Sequence, residues 1–136
     1  MAEALFRKLL RERCLEDRFT IESAGTSNHH AGESPHHGVF RIGEEHGFSL
    51  DGKRARQVRF DDFEKFDLLI VMDRSNYETL IASNPAAKPK IKLLLDYANL
   101  SEKEVHDPYF DGEFERTYRQ VEAGCQGLLA HLLPSA

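Results

Sequence analysis

Apolar positions along the chain change period several times, and those changes mark its elements. Over residues 1–17, Leu5 and Leu9 repeat at i, i+4, and Phe6, Leu10 and Cys14 do the same one position along, which predicts a helix with nothing ahead of Met1 to cap it. Phe19-Thr20-Ile21-Glu22-Ser23 alternates as a strand does, and Gly25-Thr26 ends it. After a polar loop, Ser34-Pro35 reads as the cap and first residue of a helix that carries Val39, Ile42 and His46 on one face and stops at Gly47. Asp61-Asp62-Phe63-Glu64 has the form of a capping box opening a short helix. Leu68 to Met72 is an unbroken apolar run, the signature of a parallel strand covered on both faces. Ser75 and Glu78 suggest a second capping box, followed by a helix that Asn84-Pro85 stops, and Ile91 to Leu95 is the next apolar strand. The last helix has the clearest stripe: Phe114, Tyr118, Val121, Cys125, Leu128 and Leu132.

Helices and strands therefore alternate, which predicts an α/β fold with an open parallel sheet. In such sheets ligands bind beyond the carboxyl ends of the strands. The pattern starts on a helix and supplies three strands, so a strand feeding the first helix is missing from it.

Composition narrows the function. A chain of 136 residues fits one domain, here residues 1–136, with 40% hydrophobic and 30% charged residues as in ordinary globular proteins. A net charge of −5 argues against a nucleic-acid partner. No apolar run is long enough to span a membrane and no signal peptide is recognisable. Cys14 and Cys125 form no metal or redox spacing, so the simplest reading is a cytoplasmic protein with reduced thiols and no cofactor. Within its stripe Cys125 reads as a packed apolar side chain.

Asp107-Pro108 is the most informative dipeptide for chemistry. Proline holds the preceding residue extended, and a carboxyl presented rigidly from a loop suits general acid work, although Asp-Pro is also a common turn. His29-His30 and His36-His37 lack the carboxylate or cysteine that would complete a metal-ligand spacing, so no metal is expected. The basic connector Lys53-Arg54-Ala55-Arg56 reads as solvated surface.

Asp107-Pro108-Tyr109-Phe110 lies 12 positions after Leu95 and just before the long last helix. Together with Met1-Ala2-Glu3-Ala4-Leu5-Phe6, Ser23-Ala24-Gly25-Thr26, Gly52 to Gln57, Phe66 to Asp73 and Ser75-Asn76, it resembles, in order and spacing, the low-molecular-weight protein tyrosine phosphatases. The resemblance covers essentially the whole chain. It implies a flavodoxin-like open parallel sheet of order 2-1-3-4 with helices on both faces, of which the first, central strand is missing here. It makes Asp107 the general acid and base, and His29, Tyr109 and Phe110 walls of the substrate cleft. It matches Glu3, Ser23 and His46 to polar positions that hydrogen-bond with one another and brace the phosphate loop. The substrates it implies are phosphotyrosine proteins or small aryl phosphates, hydrolysed through a phosphocysteine without a metal.

The family's phosphate loop has the form Cys-x5-Arg between the first strand and first helix. Here the residue six past Cys14 is Thr20 and six past Cys125 is His131, so the nucleophile and the phosphate-binding arginine are absent from these residues. The chain is expected to be inactive as written, truncated relative to the family, with exposed sheet edges that could pair with another chain. The alternatives are a catalytically dead binding or regulatory module and an arsenate reductase of the same fold. The latter would need further cysteines near the third strand, and Leu68 to Asn84 contains none.

Overall fold

The computed structural model describes residues 1–25, 37–50, 56–108 and 111–133, with His37 as backbone only. His29, His30, His36, Tyr109, Phe110, Ser34-Pro35, Gly52 and Lys53-Arg54-Ala55 lie outside them. Among the described residues, five helices and two strands follow in order: α1 (Ala2–Glu12), α2 (His37–His46), α3 (Asp62–Lys65), β1 (Leu69–Val71), α4 (Arg74–Ser83), β2 (Ile91–Leu93) and α5 (Phe114–Leu132). Short 3₁₀ turns at Glu16–Arg18, Pro85–Lys90 and Leu94–Tyr97 join them.

β1 and β2 pair in parallel with Leu69 opposite Ile91, Ile70 opposite Lys92 and Val71 opposite Leu93. Alternation along β1 sorts the core in two. Leu68, Ile70 and Met72 pack on a cluster built by α1, α2 and α5, including Leu5, Leu10, Ile42, Tyr118, Cys125 and Leu129. Leu69 and Val71 belong to the cluster of Phe63, Leu80, Ala87, Ile91 and Leu93, on the side of α3 and α4. Helices thus cover both faces of the sheet, as an unbroken apolar strand requires.

The segment Phe19–Ser23, expected as a strand, forms no ladder among the described residues. A strand is defined by its neighbour, and among the described residues a parallel bridge in this region joins Gly25 to Gln57. In it the Gly25 N–H donates to the Arg56 carbonyl at 2.7 Å and the Val58 N–H to the Gly25 carbonyl at 2.8 Å. Phe19 and Ile21 instead pack their side chains on the α1/α2/α5 cluster.

Helix ends also differ from expectation. α1 stops at Glu12, and Cys14, expected on its buried stripe, is exposed with φ +56°. The reason is a C-terminal motif in which the Leu15 N–H donates to the Leu10 carbonyl at 2.9 Å and the Cys14 N–H to that of Arg11 at 3.1 Å. That pair of bonds needs a left-handed residue at Cys14 and turns Leu15 back onto the core. α4 begins at Arg74 and is capped by Asp73, whose side chain accepts from the Asn76 N–H at 2.8 Å, so Ser75 lies inside the helix and the Ser75/Glu78 box is not formed. At α3 the Asp61 side chain makes no cap bond. The carboxylate with the strong partners is Asp62, which accepts from the Arg59 N–H at 2.7 Å and from the Arg56 guanidinium at 3.0 and 3.3 Å. Gly47 ends α2 with φ +80°, in agreement with the sequence.

α5 buries the predicted stripe from Phe114 to Leu128. It approaches the Leu94–Tyr97 turn so closely that a Cβ on Gly127 would lie 1.8 Å from the Tyr97 carbonyl oxygen. This contact seats the later turns of α5 against the Leu94–Tyr97 turn.

Candidate active site

The Asp107 loop leaves the sheet side of the molecule and returns to α5. At its start the Val105 N–H donates to the Met72 carbonyl, just past the carboxyl end of β1, at 2.9 Å. Glu104 reaches the N-terminus of α4, accepting from the Arg74 N–H at 2.9 Å. Both polar groups of the His106 backbone are then taken by α5. Its N–H donates to Gln120 Oε1 at 2.7 Å, and its carbonyl accepts from Thr117 Oγ1 at 2.7 Å. Beyond Pro108 the chain turns on a Gly112 N–H to Pro108 carbonyl bond of 2.9 Å, with Gly112 at φ +73°. Asp107 itself is exposed at the head of this turn.

The His106 ring faces carboxylates. Its Nε2 lies 2.6 Å from Asp111 Oδ2 and 3.5 Å from Glu113 Oε2. The 2.6 Å approach is not aligned as a hydrogen bond, and Nε2 is buried without one, so the contact is an ion pair when the ring is charged. The Glu113 backbone N–H, more than His106, holds the Asp111 carboxyl below the usual carboxylate range.

On the α1 side, Ser23 Oγ donates to Glu3 Oε1 at 2.7 Å, and Arg7 Nε donates to Glu3 Oε2 at 2.9 Å. Arg7 also donates to the Ile21 carbonyl. Glu3 and Ser23 are thus brought together. His46 is held elsewhere: its Nε2 is 3.0 Å from Glu115 and its ring stacks on Tyr118 at 3.7 Å between centroids.

Neither cysteine stands in a nucleophile's surroundings. Burial pushes the Cys125 thiol up to about 12, and the side chain is 2% exposed. Cys14 sits in the left-handed turn after α1. Among the described residues, Glu45, His46 and Glu115, and likewise His106, Asp111 and Glu113, have potential ligand atoms within 4.8 Å of one another. Each histidine there already contacts a carboxylate of its own cluster. A groove of about 420 Å³ lined by Leu100, Glu102, Glu115, Arg116, Arg119 and Gln120 includes none of Asp107, Glu3 and Ser23, so its volume does not mark the chemistry.

Residues 1–135 match the family described as low molecular weight phosphotyrosine protein phosphatase. The chain belongs to that family. It is 40% identical over 134 residues to the low molecular weight protein-tyrosine-phosphatase YfkJ of Bacillus subtilis, covering 97% of this chain and 86% of that protein. It is 33% identical over 136 residues to PtpA of Staphylococcus aureus strain MRSA252, again covering 86% of the relative and all of this chain. The crystal structure of the Bacillus YfkJ superposes with a TM-score of 0.91 at 38% identity over 96% of this chain and 84% of that one. The α/β fold of this phosphatase family is therefore shared.

Gln120 and Thr117 were not candidates on sequence. The available signal was partial: Thr117 lies in 3–4 register with Phe114 and Val121 of the apolar stripe, and Gln120 follows it three positions on, at the edge of the buried face, where a polar side chain is buried only with a partner. No helix among the described residues is long and apolar enough to cross a membrane.

Proposed function

We propose that Asp107 is the general acid and base of a phosphotyrosine and aryl-phosphate hydrolase. The observation that carries this reading is an exposed carboxyl on a loop tied to the carboxyl end of β1 on one side and to α5 on the other. In the first step a cysteine thiolate bonds to phosphorus as the ester P–O bond breaks, and protonated Asp107 gives its proton to the leaving phenolate. In the second step Asp107 takes a proton from the water that attacks the phosphocysteine, returning the thiolate and releasing phosphate. His29, Tyr109 and Phe110 form the walls against which the aryl ring packs, and Glu3 with Ser23 braces the phosphate loop. The thiolate and the phosphate-gripping arginine are not among these 136 residues, so this polypeptide by itself is inactive. Unpaired Cys14 and Cys125 suit a reducing cytoplasm.

The test uses the chain joined at Met1 to a strand and a Cys-x5-Arg loop of the family form, here called the loop-bearing chain. Asp107→Asn should lower its rate by about 10²–10⁴, most for aryl phosphates with poor leaving groups. An equal loss across the leaving-group series contradicts the role of Asp107. Replacing His29 by Trp should raise the preference for phosphotyrosine over a small alkyl phosphate by roughly 2- to 10-fold, and an unchanged ratio removes His29 from the cleft wall.

A further inference from the structure

Resting on that reading of Asp107, we infer that Gln120 and Thr117 position the general acid by holding the two backbone polar groups of His106. Both side chains are buried, at 4% and 6% exposure, inside an otherwise apolar face of α5. Polar atoms in such a place need a partner, and both find it on one residue of the loop: the His106 N–H on Gln120 Oε1 and the His106 carbonyl on Thr117 Oγ1, each at 2.7 Å.

The geometric consequence follows from the planarity of the peptide unit. The His106 carbonyl shares its plane with the N–H and Cα of Asp107, so the Thr117 hydroxyl, by fixing that oxygen, fixes the origin of the Asp107 side chain. Gln120 fixes the preceding plane through the His106 N–H. With the two planes that precede Asp107 held and Pro108 keeping Asp107 in the extended region, the freedom left to the carboxyl is a limited swing in φ of Asp107 and its own side-chain rotation. The Val105 N–H on the Met72 carbonyl ties the same backbone to β1. A proton donor has to meet its oxygen within a few tenths of an ångström, and displacement by about 1 Å can cost 100-fold. Thr117 and Gln120 touch no reacting atom; they act through Asp107.

The experiment is a double-mutant cycle in the loop-bearing chain, reading kcat across aryl phosphates of rising leaving-group pKa. Thr117→Val and Gln120→Leu, which keep volume and remove the bond, should each lower kcat for the poorest leaving groups about 10-fold or more, with KM unchanged. Thr117→Ser, which keeps the hydroxyl, should retain most of the activity. Introduced on top of Asp107→Asn, the same two substitutions should change kcat by less than about 2-fold, because the group they position is gone. Equal fractional losses with and without Asp107, or no loss in either background, overturn the positioning role alone. If Asp107→Asn fails to discriminate between leaving groups, the acid assignment falls and the positioning role with it. Should Gln120→Leu not fold, the Thr117 pair decides by the same cycle, since Thr117→Val only exchanges a hydroxyl for a methyl.

Discussion

Val105 and His106 are fixed through their own backbone groups, on β1 and on buried side chains of α5, whereas Ile21 to Ser23 are fixed largely by side chains reaching across the surface. In the first stretch the partners are the Met72 carbonyl, Gln120 and Thr117. In the second, Arg7 and Glu3 hold Ile21 and Ser23, and Glu22 pairs with Arg56 at 3.1 Å and Lys65 at 3.6 Å. Bonds to buried partners cannot be exchanged for water without leaving a donor or acceptor unsatisfied, so they fix geometry strictly. Exposed ion pairs compete with water and salt and contribute little each. The first stretch leads into Asp107, the residue proposed as the acid, and the stricter fixation is found there.

The contrast can be broken hardest at the contact that seats α5. In the loop-bearing chain, Gly127→Ala places a Cβ where the Tyr97 carbonyl stands, and the obstacle is backbone. α5 must shift, at a cost of about 3 kcal/mol, seen as a lower urea midpoint. The acid loop should shift with it. The second stretch reaches a buried anchor in Asp62, which holds Arg56 and through it Glu22. Asp62→Ala should cost about 2 kcal/mol by leaving Arg56 without its buried partner. The Arg56 hydrogen bonds, opposed by burial and helped by the Arg59 N–H, hold the Asp62 carboxyl below its ordinary value. A depressed folded value means the stabilisation is present above the unfolded pKa of about 3.9 and is lost as pH falls below it. The gap in urea midpoint between the parent and Asp62→Asn should therefore narrow below pH of about 4. A gap that widens in acid contradicts the pairing.

Smaller effects sharpen the same contrast. Cys14→Gly should stabilise by about 0.5–1 kcal/mol, because glycine adopts the left-handed turn after α1 without the Cβ conflict. Ser23→Ala should cost only about 0.5 kcal/mol, since its bond to Glu3 is exposed. A loss as large as that of Asp62→Ala would show the second stretch to be held as strictly as the first.

Much of the architecture could be read from residue order. The stripe from Phe114 to Leu128 and the run at Leu68 to Met72 were legible because burial imposes a period on one and removes polar residues from the other. Phe19 to Ser23 misled because alternation reports a half-buried segment, not a paired one: Phe19 and Ile21 are indeed turned to the core while no ladder forms among the described residues. At α4, Asp73 and Ser75 both suit a cap, and only the Asn76 N–H on Asp73 decides between them. Asp107-Pro108 was visible as a dipeptide. Its supports on α5 were not, because they bind backbone groups 11 and 14 positions away, and backbone groups carry no residue identity.

The most direct measurement of the central claim compares p-nitrophenyl phosphate hydrolysis by the 136-residue polypeptide and by the loop-bearing chain, purified identically. If these residues supply the acid and its supports while the nucleophile belongs to a Cys-x5-Arg loop, the first should show no turnover and the second should turn over in a manner that needs both the loop cysteine and Asp107. Turnover by the 136-residue polypeptide that survives purification and is abolished by Asp107→Ala would contradict the account.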